Sequence, residues 1–344
     1  MSASDLTTIE TKSRIAEFVA KYAFKRELFI YYIFVAVLLL FAVVLHDTAF
    51  FSLTNFMNII RQTAPITVMA VGLTFALAVG HIDLSIGAVV ALSALVGAVL
   101  LQYTGIPLAV LGALCVGLFV GLINGFLIER LQVSSLLITL GTMGVITGLA
   151  RQFTNLESVP IINSSFTGFF GAGELFGIPS LLVWTVVIAA IGYVALTKLA
   201  FGRHLLAVGG SPKAALAMGI KVTRIRIYAL VISSMAAALA GLLYAGRLHG
   251  ARYTLGEADL LTVIAAVAIG GTSLFGGRAC IIGAVLGSWL MGLINNGLIL
   301  SGFSTNEQMI ARILLLSFKE SNYVLNAIPL ISILHLALSY NQMV

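Results

Sequence analysis

Apolar runs follow one another from residue 28 to residue 300 with few charges between them. Roughly 20 apolar residues in helical form cross the hydrocarbon core of a bilayer. A backbone in lipid must satisfy its own hydrogen bonds, which selects helices over open strands. The runs fall at 28–45, 64–80, 84–102, 107–127, 132–150, 179–197, 227–245, 259–271 and 279–300, with a weaker one after 309. The expected fold is therefore all-α, a polytopic membrane protein of about ten transmembrane helices, one or more of them broken. Composition points the same way. Only 9% of the 344 residues are charged, against roughly 25% in soluble domains, and mean hydropathy is +1.09. So few charges cannot coat a soluble protein of this size, and the remaining surface must face the lipid bilayer.

The net charge of +6 reads as membrane topology, so no nucleic-acid partner is expected. With the N-terminus in the cytoplasm, the inner segments hold Lys12, Arg14, Lys21, Lys25, Arg26, Arg130, Arg278, Lys319 and the basic residues of 198–226. The outer segments hold only Arg61, Arg151, Arg247 and Arg252, an asymmetry that follows the positive-inside rule. No small-residue cleavage site follows the first apolar run, so residues 1–27 are read as a retained cytoplasmic segment. Within it Ile15, Phe18, Val19 and Tyr22 share a helical face among basic residues. That pattern suits either a helix lying on the membrane surface or a simple basic anchor. Cys115 and Cys280 sit in apolar runs as small packing residues, and no metal site is expected.

Glycines recur every four residues at Gly117, Gly121 and Gly125, at Gly144 and Gly148, and at Gly283 and Gly287. Small residues at this spacing let helices approach closely in lipid. Two stretches also resemble each other, "LTFALAVGHIDLSIGAVVALSALVGAVL" from Leu73 and "LTVIAAVAIGGTSLFGGRACIIGAVLGSWLMGL" from Leu261. Each is an apolar run, a glycine-containing break and a second run of small residues. Paired interrupted helices can mark a transport site; shared Ala/Gly/Leu composition produces the same likeness.

Polar residues inside the runs are the candidates for a translocation path: Asp83, Ser85, Asn124, Asn295 and Asn296. A carboxylate in hydrocarbon costs about 3 kcal/mol even on insertion scales, so Asp83 must face protein, water or an interface. Asp83 or Ser85 caps the helix that starts after Gly80, or Asp83 meets the solute, or it does both. The three asparagines either hydrogen-bond between helices or line a polar route.

The longest inner loop, 198–226, contains a compact helix signal. Ser211 suits an N-cap, Pro212 the first helical position and Gly219 the C-terminal stop. Ala214, Ala215, Leu216 and Met218 give it a small apolar face, which suits either a seat in a groove of a cytoplasmic partner or a surface helix with no partner.

Four stretches carry a resemblance to a known family: "GHIDLSIGAVVALSA" (80–94), "LITLGTMGVITGLA" (137–150), "FGRHLLAVGGSPKAALAMGI" (201–220) and "VIAAVAIGGTSLFGGRACIIGAVLGSWLMGLINNGL" (263–298). The chain resembles the permease subunits of bacterial sugar-type ABC importers, which carry ribose, xylose, arabinose, galactosides or autoinducers. The resemblance implies an inner-membrane subunit that pairs with a second permease subunit, a cytoplasmic ATPase subunit and a periplasmic or secreted solute-binding protein. It implies no enzymatic activity and no cofactor on this chain, with ATP bound by the partner ATPase. The segment 201–220 corresponds to the family's coupling segment, which would put Ser211, Pro212, Ala214, Ala215, Met218 and Gly219 against the ATPase. In keeping with this, no Gly-Lys dipeptide occurs, so no phosphate-binding loop of the G-x-x-x-x-G-K-[ST] kind is present.

The resemblance implies a permease domain over 28–312. His81 stands where the family usually has glycine, and Thr262 precedes "VIAAV" where an acidic residue is usual. After Arg312 the likeness stops, and 313–344 is expected to be foreign to the fold, for example read out of frame. The rival expectation is an ion-coupled secondary carrier that uses Asp83 and His81 as a proton relay.

Overall fold

A computed structural model describes residues 29–304 together with Glu307. The basic segment 1–27, the weak run after 309 and the atypical segment 313–344 lie outside the described residues. Helix α1 (Phe29–Val44) leads through a 3-10 turn at Ala49–Phe51 into α2 (Leu53–Ala78). Then come α3 (Ile86–Tyr103), α4 (Ile106–Leu131) and α5 (Ser135–Phe153). A connecting region holds β1 (Val159–Pro160), α6 (Ser164–Thr167), a π turn at Gly168–Ala172, β2 (Glu174–Leu175) and β3 (Ile178–Pro179). Helices α7 (Ser180–Thr197), α8 (Ala200–Gly210), α9 (Pro212–Ala217) and α10 (Val222–Leu248) follow. The described chain closes with β4 (Gly250–Ala251), α11 (Leu260–Ile269) and α12 (Ile281–Leu300). The strands make only two short antiparallel pairs, β1 with β4 and β2 with β3.

The chain is an all-α polytopic membrane protein. Among the described residues, seven helices are long and apolar enough to span a bilayer: α2, α3, α4, α5, α7, α10 and α12. Two more are apolar but shorter, α1 with 16 residues and α11 with 10. At 1.5 Å per residue α11 covers about half a bilayer, so it is a half-helix that stops at a break.

Helix α2 starts at Leu53, well before the expected 64. Asn55, Arg61 and Gln62 make its first half read as a loop. Part of that half is tied to protein: Asn55 and Asn296 of α12 exchange two amide hydrogen bonds of 2.9 Å. The loop expected at 198–226 contains α8 as well as α9, and Leu205 and Val208 of α8 are buried.

Helices α10 and α2 form the centre, packed on each other and on α3, α4 and α12. Two of the three glycine rows are used inside the protomer. A Cβ at Gly117 would stand 2.5 Å from the Ser234 carbonyl oxygen of α10, and one at Gly121 2.6 Å from Val231 Cα. Gly283 and Gly287 press on Gly270 and Ala266 beside α11. A Cβ at Gly144 or Gly148 of α5 would meet no atom of another element within 4 Å. Helix α5 is also the least covered span: 17% of its most apolar window is buried, against 78% for α2.

Candidate functional site

The break between α2 and α3 begins with a Schellman stop. The His81 N–H donates to the Ala76 carbonyl at 3.0 Å and the Gly80 N–H to the Leu77 carbonyl at 2.9 Å. Gly80 has φ of +80°, a conformation that glycine adopts without a Cβ penalty. Residues 82–84 then run outside any helix against α5, before Ser85 turns into α3. The Ile82 N–H donates to Ser135 Oγ and the Leu84 N–H to Thr139 Oγ1, both at 3.1 Å, while Thr139 Oγ1 donates to the Ile82 carbonyl. Backbone groups that no helix satisfies are thus paired with hydroxyls, as a segment at membrane depth requires.

Asp83 sits inside this break at 0% exposure. Its Oδ1 accepts from the Ser85 N–H at 3.1 Å and Ser85 Oγ at 2.6 Å. Its Oδ2 accepts from Ser233 Oγ at 2.9 Å and Ser234 Oγ at 3.4 Å, both on α10. Asn124 of α4 donates to Ser85 Oγ at 3.0 Å. Asp83, Ser85 and Asn124 are therefore one network that ties α3, α4 and α10 together, in which Asn124 Oδ1 is buried and has no hydrogen-bond partner. Ser85 is the N-cap residue of α3 but makes no side-chain cap bond; Asp83 reaches the Ser85 N–H instead.

His81 turns away from this network. Its Nε2 lies 3.6 Å from Glu129 Oε1, and Arg226 donates to the same oxygen at 3.1 Å. The trio joins the break to the end of α4 and the start of α10. Sequence reasoning missed it, because Glu129 and Arg226 are separately unremarkable loop-edge charges.

The second break, 270–280, meets the first. Gly271 (φ +95°) ends α11 with the same Schellman pair, the Thr272 N–H to the Val267 carbonyl and the Gly271 N–H to the Ala268 carbonyl. The Gly277 N–H donates to the Ala78 carbonyl at 3.0 Å. Gly209 of α8 lies between them: any Cβ there would overlap the Ala78 carbonyl oxygen and stand 2.5 Å from Gly277 N. A Cβ at Gly276 would be 2.9 Å from the Gly209 carbonyl oxygen and 3.0 Å from Gly80 N. Two helix breaks and α8 therefore touch backbone to backbone.

Helix α9 follows directly. Ser211 Oγ accepts from the Ala214 N–H at 3.4 Å, Pro212 is the first helical residue and Ala215 is buried. Gly219 (φ +81°) closes the helix, with the Ile220 N–H on the Ala215 carbonyl and the Gly219 N–H on the Leu216 carbonyl. Leu216 is 66% and Met218 69% exposed, so an apolar knob stands out at this end of the bundle.

At the opposite end a cavity of about 190 Å³ opens between α2, α10, α11 and α12. Pro65 shapes its rim. Lacking an N–H, it leaves the Arg61 carbonyl without a helical donor, and Arg247 Nη1 fills that gap at 3.1 Å. The Arg247 guanidinium lies 5.4 Å over the Tyr244 ring, and the Tyr244 hydroxyl donates to Asp259. Asn295 lines this cavity, whereas Asn296 holds Asn55. The five candidate path residues thus divide into a buried network, an interhelical amide pair and one residue at a cavity. Among the described residues no group of three or more His, Cys, Asp or Glu could hold a metal ion.

Comparison with known proteins gives the lineage. A family model described as the branched-chain amino acid transport system / permease component matches residues 55–331. The chain is similar to the ribose import permease protein RbsC of Bacillus subtilis (strain 168), 38% identical over 269 residues, which are 77% of this chain and 83% of that one. It is similar to the ribose import permease protein RbsC of Escherichia coli (strain K12), 36% identical over 291 residues, 81% of this chain and 88% of the other. It is also similar to the D-allose transport system permease protein AlsC of that strain, 34% identical over 263 residues, 76% and 80% of the two chains. No solved structure matches. The chain belongs to the family of the branched-chain amino acid transport system permease component and is a transport subunit rather than an enzyme.

Proposed function

We propose that the chain is the inner-membrane permease subunit of an ABC importer for ribose or a similar small hydroxylated sugar. A separate cytoplasmic ATPase hydrolyses the ATP, a solute-binding protein delivers the sugar, and the permease itself binds no cofactor. The observation that carries this reading is the α9 knob, a short capped helix with Leu216 and Met218 exposed at the basic end of the bundle. By the positive-inside rule that end faces the cytoplasm, where the ATPase works. Ser211, Pro212 and Gly219 fix the knob's backbone; Ala214 and Met218 belong to its contact surface, whereas Ala215, expected there from the sequence, packs into the protomer beside Leu205 and Val208. The junction at Gly80, Gly209 and Gly277 gives movement of α8 and α9 a rigid route into both broken helices.

A second permease copy is the natural cover for α5, where a Cβ at Gly144 or Gly148 would enter open space in the protomer although such rows serve close helix approach. The carrier reading with Asp83 and His81 as a relay loses support, because His81 faces Glu129 while Asp83 is occupied by serines.

Burying Leu216 and Met218 in an ATPase groove contributes about 1.5–3 kcal/mol each. Replacing both by Asp is expected to weaken association more than about a hundredfold, read as loss of the ATPase on co-purification with membrane insertion unchanged. Retention of the ATPase by that variant overturns the docking surface. Gly219→Leu forces a side chain into the left-handed region and is expected to abolish ATP-driven uptake while insertion persists. Full uptake by Gly219→Leu counts against a coupling role for this turn.

A further inference from the structure

We propose that His81 is a positioning residue for transport, the moving half of a latch that closes on a fixed Glu129–Arg226 pair when the ATPase shifts α9. The proposal rests on the importer reading above. The fixed half is built into two tightly packed helices. Gly117, Gly121 and Gly125 of α4 press on the backbone of α10, where a Cβ at Gly125 would stand 3.0 Å from Ile227 Cα. At the inner end of this row Arg226 Nη1 donates to Glu129 Oε1 at 3.1 Å, and the two side chains are 22% and 7% exposed. A covered carboxylate left without a partner is costly, and Arg226 supplies the partner from the helix to which α4 is locked.

His81 stands on a different body. It follows the end of α2, where the Ala78 carbonyl accepts from the Gly277 N–H and is pressed by Gly209 of α8. Only Ser211 separates α8 from α9. Movement of α9 therefore reaches His81 through α8, while α4 and α10 stay together.

The latch is open in this state. His81 Nε2 lies 3.6 Å from Glu129 Oε1, beyond the roughly 2.7–3.2 Å of an N–H···O bond. That nitrogen is buried without a hydrogen-bond partner, and so is Arg226 Nε in the same trio. A buried polar group left unpaired is costly, so the open state is biased towards closing a gap of about 0.5 Å. Nε2–H is a donor in one neutral tautomer as well as in the protonated ring, so closure needs no change of charge. Once closed, the latch ties the first break to the inner ends of α4 and α10.

The test uses the permease with its ATPase and binding protein in proteoliposomes, with D-ribose as the transported probe. His81→Leu keeps much of the ring's bulk and removes the donor. Because that donor makes no bond in the open state, the variant is expected to resist heating as the native chain does, while ribose moved per ATP hydrolysed falls roughly tenfold. His81→Gln restores an N–H of similar reach and is expected to keep most of the native ratio. Glu129→Met with Arg226→Met removes the fixed half without stranding either charge. Adding His81→Leu to that chain is expected to lower the ratio no further. An unchanged ratio in His81→Leu, a Gln variant as poor as the Leu variant, or a second tenfold fall in the chain without the pair overturns the latch. Loss of heat resistance in His81→Leu overturns it too, since the histidine would then support the open fold itself. If native uptake proceeds without ATP, the importer reading fails instead, and the same set of variants, read on uptake rate, still decides whether His81 acts through Glu129.

Discussion

Gly209→Val is expected to abolish uptake. Its Cβ has nowhere to go: the Ala78 carbonyl and the Gly277 N–H, which bond to each other, occupy the space. Both obstacles are backbone, so relief requires moving the end of α2, the second break or α8 as a whole. Overpacking of this kind costs typically about 1–3 kcal/mol when side chains alone must adjust, and more when the backbone must. The expected phenotype is permease that inserts and binds its ATPase but hydrolyses ATP without moving solute. Gly210→Ala is the control, because the nearest atom to a Cβ there, Gly277 Cα, is 4.0 Å away. Uptake per ATP should be near native for Gly210→Ala and near background for Gly209→Val. Native uptake by Gly209→Val would remove the junction from the coupling route.

Asp83→Ala is expected to cost the protein its folded state. Four donors converge on that carboxylate: the Ser85 N–H and the hydroxyls of Ser85, Ser233 and Ser234. Some hydroxyls can turn to carbonyls one helical turn back, but the Ser85 N–H cannot. With that group and at least one hydroxyl left unpaired, at about 1–3 kcal/mol each, the loss is about 2–6 kcal/mol. That is comparable to the 5–15 kcal/mol by which whole proteins are stable. Asp83→Asn preserves the shape and, once the serine hydroxyls reorient, most of the bonds. The asparagine variant is therefore expected to insert, resist heating nearly as the native chain does, and transport. An Asp83→Asn permease that is stable but inactive would show that the charge itself acts on solute or proton.

Much of the fold was legible because the bilayer makes apolar length diagnostic. The runs expected at 84–102, 179–197 and 279–300 match α3, α7 and α12 to within about two residues. Glycine stops and the Ser211–Pro212 start were readable for the same kind of reason, since each satisfies backbone groups locally. The first half of α2 escaped notice because its polar residues find partners far away in the chain, Asn55 at Asn296 and Arg61 at Glu174, a tertiary fact. Helix α8 escaped because its buried face is short and flanked by glycines that read as a loop. Asp83 was singled out by its cost in lipid, yet its partners Ser233 and Ser234 lie 150 and 151 residues away. Nothing local announces them. The cavity is assembled from four helices, and of its lining only Asn295 was read from the sequence as a path residue; Arg247 stood out as an outer charge and Thr262 as the absence of an acidic residue.

The central claim is that this chain moves sugar only as part of an ATP-driven complex. Ribose uptake into proteoliposomes tests it most directly, comparing the permease alone under a proton gradient with the permease plus its ATPase, its binding protein and ATP. The account predicts background flux in the first case and accumulation in the second that stops when ATP is withheld. Gradient-driven uptake by the permease alone would contradict it.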